Sequence, residues 1–190
     1  DREGYLWIST ERGISRFNPS AKQFRNFDDH DGLQSLVFNI NSCCKGRDGS
    51  LYFGGHKGFN RIRPNRLKQN PHIPPIVVQN VEVNGISIPY QSQLEKNGQI
   101  TLRYRDNFLG FEFAALNYTN PEQNQYAFRM MGVEDTWHQS GTRRYAQYTN
   151  LAPGRYEFQV IGSNNDGRWN RQGVTIPIEI TPPFWNTTLF

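Results

Sequence analysis

Hydrophobic and polar residues alternate along much of the chain with a period of two, which is the period of a strand with one buried face. Beyond residue 75 the alternation falls into seven runs. These are residues 76–83, 99–104, 108–116, 126–133, 144–149, 155–163 and 174–181. Seven short strands in about 110 residues predict a β-sandwich.

The apolar positions of five runs predict the core of this sandwich, because every second side chain of a strand points to the same face. They are Ile100, Leu102 and Tyr104; Phe111, Phe113 and Ala115; Tyr126, Phe128 and Met130; Tyr156, Phe158 and Val160; and Ile176, Ile178 and Ile180. We interpret the aromatic residues Tyr126, Phe128, Tyr156 and Phe158 as core. Trp169, beside a polar turn, is the better candidate for an exposed contact.

The first part of the chain repeats itself at an offset of 45 residues. The run 4–8 (GYLWI) lies over 49–53 (GSLYF), and the register continues without a gap as far as Pro19 over Pro64. Each copy contains a turn, an aromatic strand, a Gly turn, a second strand and a Pro. A period near 45 is typical of a four-stranded propeller blade. With an outer strand at 23–27 and an inner strand at 38–45, the chain holds about one and a half blades.

The predicted fold is therefore all-β, a partial β-propeller followed by an immunoglobulin-like or fibronectin III-like sandwich. In the repeats, aliphatic and aromatic positions alternate with the aromatic residues Trp7 and Tyr52; these positions are Leu6, Ile8, Leu51 and Phe53. One face of each blade should therefore meet the blade core, and the other face should meet the neighbouring blade. An open propeller leaves strand edges and half an interface uncovered. We expect it to pack against the second domain or to pair with another copy of the chain.

Four prolines between residues 64 and 75, without any periodicity, predict a stiff extended linker. We divide the chain into a propeller fragment at 1–67, a Pro-rich linker at 68–75 and a sandwich domain at 76–185. Residues 186–190 form the approach to an expected transmembrane helix. The chain starts with Asp1 rather than Met, so we expect it to be a piece of a longer protein.

Composition places the chain among ordinary globular proteins, with 36% hydrophobic and 20% charged residues and a net charge of +4. Residues 1–75 carry 12 Lys and Arg against 7 Asp and Glu, whereas the remainder carries 9 against 10. A solvated surface explains this asymmetry better than an acidic ligand does. Arginines do not interleave with aromatic residues as in a single-strand binder, so we expect no nucleic-acid partner.

The candidate reactive residues are few and scattered. Cys43 and Cys44 are adjacent, so their side chains on a strand should point to opposite faces, one buried and one near the surface; a vicinal redox disulfide is the alternative.

The acidic run 28–32 fails as a calcium loop, because positions one and twelve would be Phe27 and Phe38, and we interpret it as a surface turn. The four histidines have no metal or nucleophile spacing. We therefore expect no catalytic, metal or cofactor residue and no enzyme activity within this chain.

A local motif refines the prediction for the sandwich. The run 151–156 (LAPGRY), followed by EFQV, resembles the tyrosine corner of immunoglobulin-like and fibronectin III sandwiches, in which a Tyr hydroxyl bonds back to the backbone. The run 164–167 (NNDG) then predicts a tight turn.

Larger motifs carry a resemblance to a known family. The Gly-Ile-x-Arg-Phe-Asn-Pro run of the repeats resembles the regulator-propeller repeats of bacterial sensor ectodomains, and residues 76–190 resemble the Y_Y_Y domain that follows them. The matching motifs of the second part are Phe111-Glu112-Phe113, Tyr126-x-Phe128, Gly132 with Trp137, Arg144-Tyr145-Ala146-x-Tyr148, Pro153-Gly154-x-Tyr156-x-Phe158, Asn165-Asp166-Gly167-x-Trp169-Asn170 and Pro182-Pro183-Phe184-Trp185. The resemblance covers almost the whole chain.

This resemblance implies a periplasmic sensing region of an inner-membrane protein, dimeric through the Y_Y_Y domain and followed by a membrane span and a cytoplasmic output, often a histidine kinase of a hybrid two-component system. The ligand would be a glycan or another small extracytoplasmic molecule, and ligand state would pass through dimer geometry. The family signature residues, mainly structural, are Trp7, Tyr52, Tyr126, Trp137, Tyr148, Tyr156, Trp169 and Trp185. The alternative is a carbohydrate-binding or adhesion module of a secreted enzyme.

Overall fold

The computed structural model describes residues 1–67 and 70–183. The chain folds into two compact units, Asp1–Gln69 and Asn70–Phe190. Both units are built of β-strands, which confirms the predicted fold class. Trp185 and the predicted approach to a membrane span at 186–190 lie outside the described residues.

The first unit consists of two three-stranded antiparallel sheets in the orders β1-β2-β3 and β4-β5-β6. The strands are β1 (Leu6–Thr10), β2 (Gly13–Asn18), β3 (Gln23–Phe27), β4 (Phe38–Lys45), β5 (Leu51–Gly55) and β6 (Gly58–Ile62). The 45-residue offset places β1 over β5 and β2 over β6, as the repeat predicts. Among the described residues the first sheet has no inner strand and the second has no outer one, so these six strands make one and a half four-stranded blades.

Equivalent positions in the two copies of the repeat differ in burial. Leu51, Phe53 and Ile62 of the second sheet form a core with Ile14 of the first. Leu6 and Ile8, which occupy the positions of Leu51 and Phe53 in the other copy, are 54% and 44% exposed. The first sheet therefore leaves apolar positions exposed that the second sheet buries, and its packing against the second domain or another copy of the chain stays a prediction.

The two cysteines differ from the prediction as well. Cys43 and Cys44 lie on β4, paired opposite Phe53 and Tyr52, and both are free and exposed. We predicted that one would be buried, because successive side chains of a strand point to opposite faces. In this structure β4 is exposed from Asn39 to Lys45, so neither thiol is buried.

The acidic run predicted as a surface turn is a short 3-10 helix, Asp29–Asp31, which confirms that interpretation. The Asp28 carboxylate accepts a hydrogen bond from the backbone amide of His30, and the Asp31 carboxylate accepts one from the backbone amide of Asp28. Together the two side chains form a capping box at the start of the turn. Gly32 ends it with φ 91°, a left-handed conformation that favours glycine.

The second unit is a sandwich of a four-stranded sheet, β13-β10-β7-β8, and a five-stranded sheet, β12-β11-β14-β15-β9. Its elements are β7 (Ile76–Val83), β8 (Ile86–Ser87), α1 (Tyr90–Asn97), β9 (Ile100–Arg103), β10 (Leu109–Ala115), β11 (Tyr126–Met131), β12 (His138–Gly141), β13 (Tyr145–Tyr148), β14 (Gly154–Ser163) and β15 (Trp169–Thr181). All seven predicted strands are present. Two short strands and one helix were not predicted.

The helix α1 is mostly polar. Its two apolar side chains, Tyr90 and Leu94, pack against the core. Tyr90 donates its hydroxyl proton to the carbonyl of Val78, and Gly98 ends the helix in a left-handed conformation. Two apolar residues are too few for a periodic signal, which is why the sequence did not reveal it. In the described part of the chain no helix has the length and apolar character to cross a membrane.

Inward-facing residues of both sheets meet in one core, and thirteen of the fifteen predicted core positions are buried in it. The two exceptions are Tyr104, which lies one residue beyond the end of β9, and Tyr156. At the centre the rings of Phe111 and Phe158 stack at 3.9 Å, one from each sheet. This contact joins the two layers.

Tyr156 forms the predicted tyrosine corner. Its hydroxyl donates to the carbonyl of Ala152 at 2.8 Å, across the turn into β14. This bond holds the loop before β14 against the strand, so Tyr156 has a structural role although it is not fully buried.

We expect Tyr156→Phe to lower the free energy of unfolding of the sandwich by about 1 kcal/mol, because it removes one hydrogen bond and leaves the ring in place. Urea unfolding of the whole chain measures this. Tyr118→Phe is the matched control, since Tyr118 is 83% exposed. Equal stability of the two variants would contradict the role given to the Tyr156 hydroxyl.

Candidate functional site

Six polar residues gather at one end of the sandwich. We call them the asparagine cluster: Asn70, Asn117, Asn124, Asn164, Asn165 and Asp166. The last three lie in the turn between β14 and β15. Asn117 and Asn124 lie on either side of a short 3-10 helix, Pro121–Gln123, between β10 and β11. Asn70 belongs to residues 70–75, the lead-in segment, which runs into β7. Three separate stretches of chain therefore meet at this end.

Asn164 is the centre of the cluster and is completely buried. Its side-chain nitrogen donates to the carbonyls of Asn70 at 3.0 Å and His72 at 2.7 Å. Its side-chain oxygen accepts from the amides of Asp166 at 2.9 Å and Arg168 at 3.0 Å. Both amide protons and both acceptor positions are used, so the orientation of this side chain is fixed.

The turn that carries Asn164 is the one predicted from the Asn-Asn-Asp-Gly run. The amide of Gly167 donates to the carbonyl of Asn164 at 3.1 Å, and Gly167 has φ 74°. This backbone conformation favours glycine. The motif therefore shapes a turn whose first side chain points into the sandwich.

Amide-to-amide hydrogen bonds extend the cluster to the opposite sheet. Asn70 donates to the side-chain oxygens of Asn117 at 2.9 Å and Asn165 at 3.1 Å. Asn117 in turn donates to the side chain of Asn124 at 2.8 Å, and Asn124 donates to the carbonyl of Ala115 at 3.3 Å. Asn117 and Asn124 are buried, so their bonds are shielded from competing water.

The lead-in segment is thereby attached to the sandwich along its length. The Asp166 carboxylate accepts from the backbone amide of Asn70, and Asn170 donates to the carbonyl of Pro74 at 2.9 Å. The amide of Leu116 donates to the carbonyl of Pro75 at 2.9 Å. Although residues 70–75 form no regular strand or helix, their backbone is held by side chains from residues 164–170.

The structure places two of the predicted signature residues in the first unit, apart from each other. The indole of Trp7 donates to the Asp1 carboxylate at 2.7 Å, and its ring stacks on Phe27 at 5.5 Å. The ring of Tyr52 lies beside Phe59 at 6.2 Å, under the guanidinium of Arg61. Both are packing residues of their own sheets.

Three others support the sandwich from different sides. Tyr126 is buried and its hydroxyl accepts from the amide of Ala115 at 3.1 Å. Tyr148 donates to Glu134 at 2.6 Å, and burial together with this carboxylate raises the pKa of Tyr148 far above its usual range. The phenol therefore remains a neutral hydrogen-bond donor. Trp137 lies under the guanidinium of Arg129, 4.6 Å from the ring centre.

Trp169 starts β15 opposite Ser163 and is half-buried beside the asparagine cluster. The signature residues thus do not converge on one site, and Trp185 lies outside the described residues. The rings of Trp7 and Trp137 each have a neighbour on one face, which reduces the area available for stacking on a sugar.

The sequence indicated only part of the asparagine cluster. The Asn-Asn-Asp-Gly turn was visible as a local motif, but Asn70, Asn117 and Asn124 were not singled out. Asn70 and Asn165 are 95 residues apart in the chain, and no local pattern predicts their contact.

Comparison with known proteins gives a consistent picture. Residues 117–181 match the family model of the Y_Y_Y domain. The chain is 31% identical over 189 residues to Histidine kinase P4 of Formosa agariphila, covering 96% of the chain and 14% of the kinase. It therefore spans about one seventh of that relative's length.

Solved structures agree. An extracellular domain described as part of a hybrid two-component system of B. thetaiotaomicron is 28% identical with a TM-score of 0.74, covering 96% of this chain and 25% of that one. A second extracellular domain from the same organism, described as part of a one-component system, is 23% identical with a TM-score of 0.53, covering 96% of this chain and 24% of that one. The second match supports the fold alone.

Proposed function

We propose that this chain takes part in sensing and signal transmission outside the cytoplasm. The proposal is supported by the Y_Y_Y match at residues 117–181 and by the similarity to the extracellular domain of a two-component sensor. The chain serves as part of the periplasmic region of a bacterial inner-membrane sensor of the histidine kinase type. It performs no chemistry itself. It passes the ligand state of the receptor to the membrane through the geometry of a dimer.

The observation that carries this proposal is the attachment of the lead-in segment to the asparagine cluster. A loose linker would absorb a displacement within its own backbone torsions. Here Asn164 and Asn170 bind the carbonyls of Asn70, His72 and Pro74. A displacement of this segment therefore moves the sandwich as one body, which is what a transmitting element requires.

Transmission also requires two arrangements that bind ligand with different affinity, because a ligand shifts an equilibrium only by that difference. A dimer supplies such arrangements through the relative orientation of its two subunits. The packed core, with Phe111 stacked on Phe158, keeps each sandwich stiff enough to report the change. We propose a glycan or another small extracytoplasmic molecule as the ligand of the receptor.

The four histidines lie in the acidic turn, in a hairpin turn, in the lead-in segment and on β12. His30 lies beside Asp28 and Asp29 in the exposed acidic turn, and His56 lies in the turn between β5 and β6. His72 belongs to the lead-in segment, and His138 starts β12 against the ring of Phe128. Within each unit the two histidines lie on different elements.

We expect the 190-residue chain to dimerise weakly. Two sensor regions that are anchored side by side in a membrane experience an effective concentration in the millimolar range, so an intrinsic Kd of about 0.1–1 mM suffices. Sedimentation equilibrium at increasing concentration should give a mass that rises from 22.1 kDa towards twice that value. A strict monomer at about 1 mM would contradict transmission through dimer geometry.

A further inference from the structure

A cavity of about 370 Å³ opens in the first unit, where β3 and β6 end. It lies within the first unit and shares no residue with the asparagine cluster. Its apolar lining comes from Phe27, Leu33, Ile62 and Leu67. Its charged lining comes from Asp31, Arg61, Arg63 and Arg66. The volume is in the range of small-molecule sites.

The apolar residues form the floor of the cavity. Phe27 and Ile62 are 5% and 9% exposed, and Leu33 and Leu67 pack against the core to which Ile62 belongs. Part of each side chain still borders the cavity. Such a floor favours the apolar body of a ligand, because burying it removes apolar surface from water.

The positive charge at this cavity is not neutralised by its own surroundings. Arg61 is paired with Asp48 at 2.7 Å, and hydrogen bonds from Ser50 hold the pKa of Asp48 well below its usual range. Arg63 and Arg66 are exposed, and neither forms an ion pair with a carboxylate in residues 1–67 and 70–183. Two guanidinium groups at the rim are therefore available for an anion.

Asp31 is the one carboxylate in the lining, and it is engaged in the turn. Its Oδ2 accepts from the backbone amide of Asp28 at 3.1 Å as part of the reciprocal cap. Guanidinium groups bind carboxylates with two parallel hydrogen bonds, so Arg63 and Arg66 suit a ligand carboxylate better than a neutral group.

We propose that this cavity binds a small carboxylate with an apolar body, the body on the Phe27–Ile62 floor and the carboxylate at Arg63 and Arg66. The site is independent of the proposed dimer, because none of its residues belongs to the Y_Y_Y domain. The sedimentation result and the binding result can therefore fail separately.

Benzoate is a suitable probe, and benzamide is its uncharged counterpart of the same shape. We expect benzoate to cause saturable amide shifts at Gly32 and Leu33 in ¹H–¹⁵N spectra of the 190-residue chain. Benzamide should bind at least about fivefold more weakly, because it cannot form a charge-assisted pair. The double variant R63Q/R66Q should weaken benzoate binding about tenfold. Arg12→Gln, in the turn between β1 and β2, is the matched control and should leave it unchanged.

Equal affinity for benzoate and benzamide would overturn the proposal, and so would the absence of saturable shifts at Gly32 and Leu33 up to about 20 mM. An equal loss of binding in Arg12→Gln and R63Q/R66Q would also refute it, since the effect would then come from net charge. The comparison of the two probes uses the unaltered chain and does not depend on how the variants fold.

Discussion

Phe158→Ala is expected to lower the free energy of unfolding of the sandwich by about 3–5 kcal/mol, the largest effect we predict for this chain. Phe158 is completely buried, and its ring stacks on Phe111 at 3.9 Å with an interplanar angle of 9°. The rings of Phe128 and Tyr148 lie at 6.3 and 6.4 Å. Removal of this ring leaves a cavity between the two sheets that rigid neighbouring strands cannot close.

Amide hydrogen exchange of Val160 measures this loss, because Val160 lies buried on the same strand and exchanges through opening of the sandwich. Tyr118→Ala is the matched control, since it removes an aromatic ring from the same unit at a position that is 83% exposed. It should change stability by less than about 0.5 kcal/mol. If Phe158→Ala cost less than about 1 kcal/mol, the two sheets would not depend on this stack for their packing.

Asn164→Ala is expected to cost about 2–4 kcal/mol and to release the lead-in segment. The substitution removes four hydrogen bonds and leaves the carbonyls of Asn70 and His72 without their side-chain donor. It also removes the acceptor for the amides of Asp166 and Arg168, which shape the turn before β15. Unsatisfied polar groups at a buried site account for most of the cost.

Two measurements separate the stability of the sandwich from the attachment of the segment. Urea unfolding gives the free energy, and limited proteolysis reports exposure of residues 70–75, which should be cut faster in Asn164→Ala. Asn164→Asp keeps the acceptor for Asp166 and Arg168 but replaces the donor to Asn70 and His72 with a charge. It should therefore also release the segment.

Asn97→Ala is the matched control, because Asn97 ends α1 and is exposed. It should leave both stability and proteolysis unchanged. Unaltered cleavage in Asn164→Ala and Asn164→Asp would show that the lead-in segment does not depend on the asparagine cluster, and the proposed mode of transmission would lose its basis.

Much of the fold could be predicted, because the signals that specify it are local. The alternation of Phe111 and Phe113 with a polar residue marks β10, and the 45-residue offset marks the blades. The tyrosine corner is local too, since the Tyr156 hydroxyl reaches a carbonyl only four residues earlier. The helix α1 was missed because its two apolar residues are too few for a periodic signal, and its contact from Tyr90 to Val78 joins elements that no local pattern connects.

By itself the sequence determined the longer strands, the two repeats, the tight turn at 164–167 and the resemblance to sensor regions. Tertiary structure alone decided which faces are covered. Cys43 and Cys44 are both exposed, as is the whole of β4 from Asn39 to Lys45, and Leu6 and Leu51 differ in burial although they occupy one position of the repeat. The asparagine cluster likewise exists only where Asn70 meets Asn117 and Asn165. Periodicity encodes which side a residue faces, whereas burial and hydrogen-bond partners depend on which distant segment lies there.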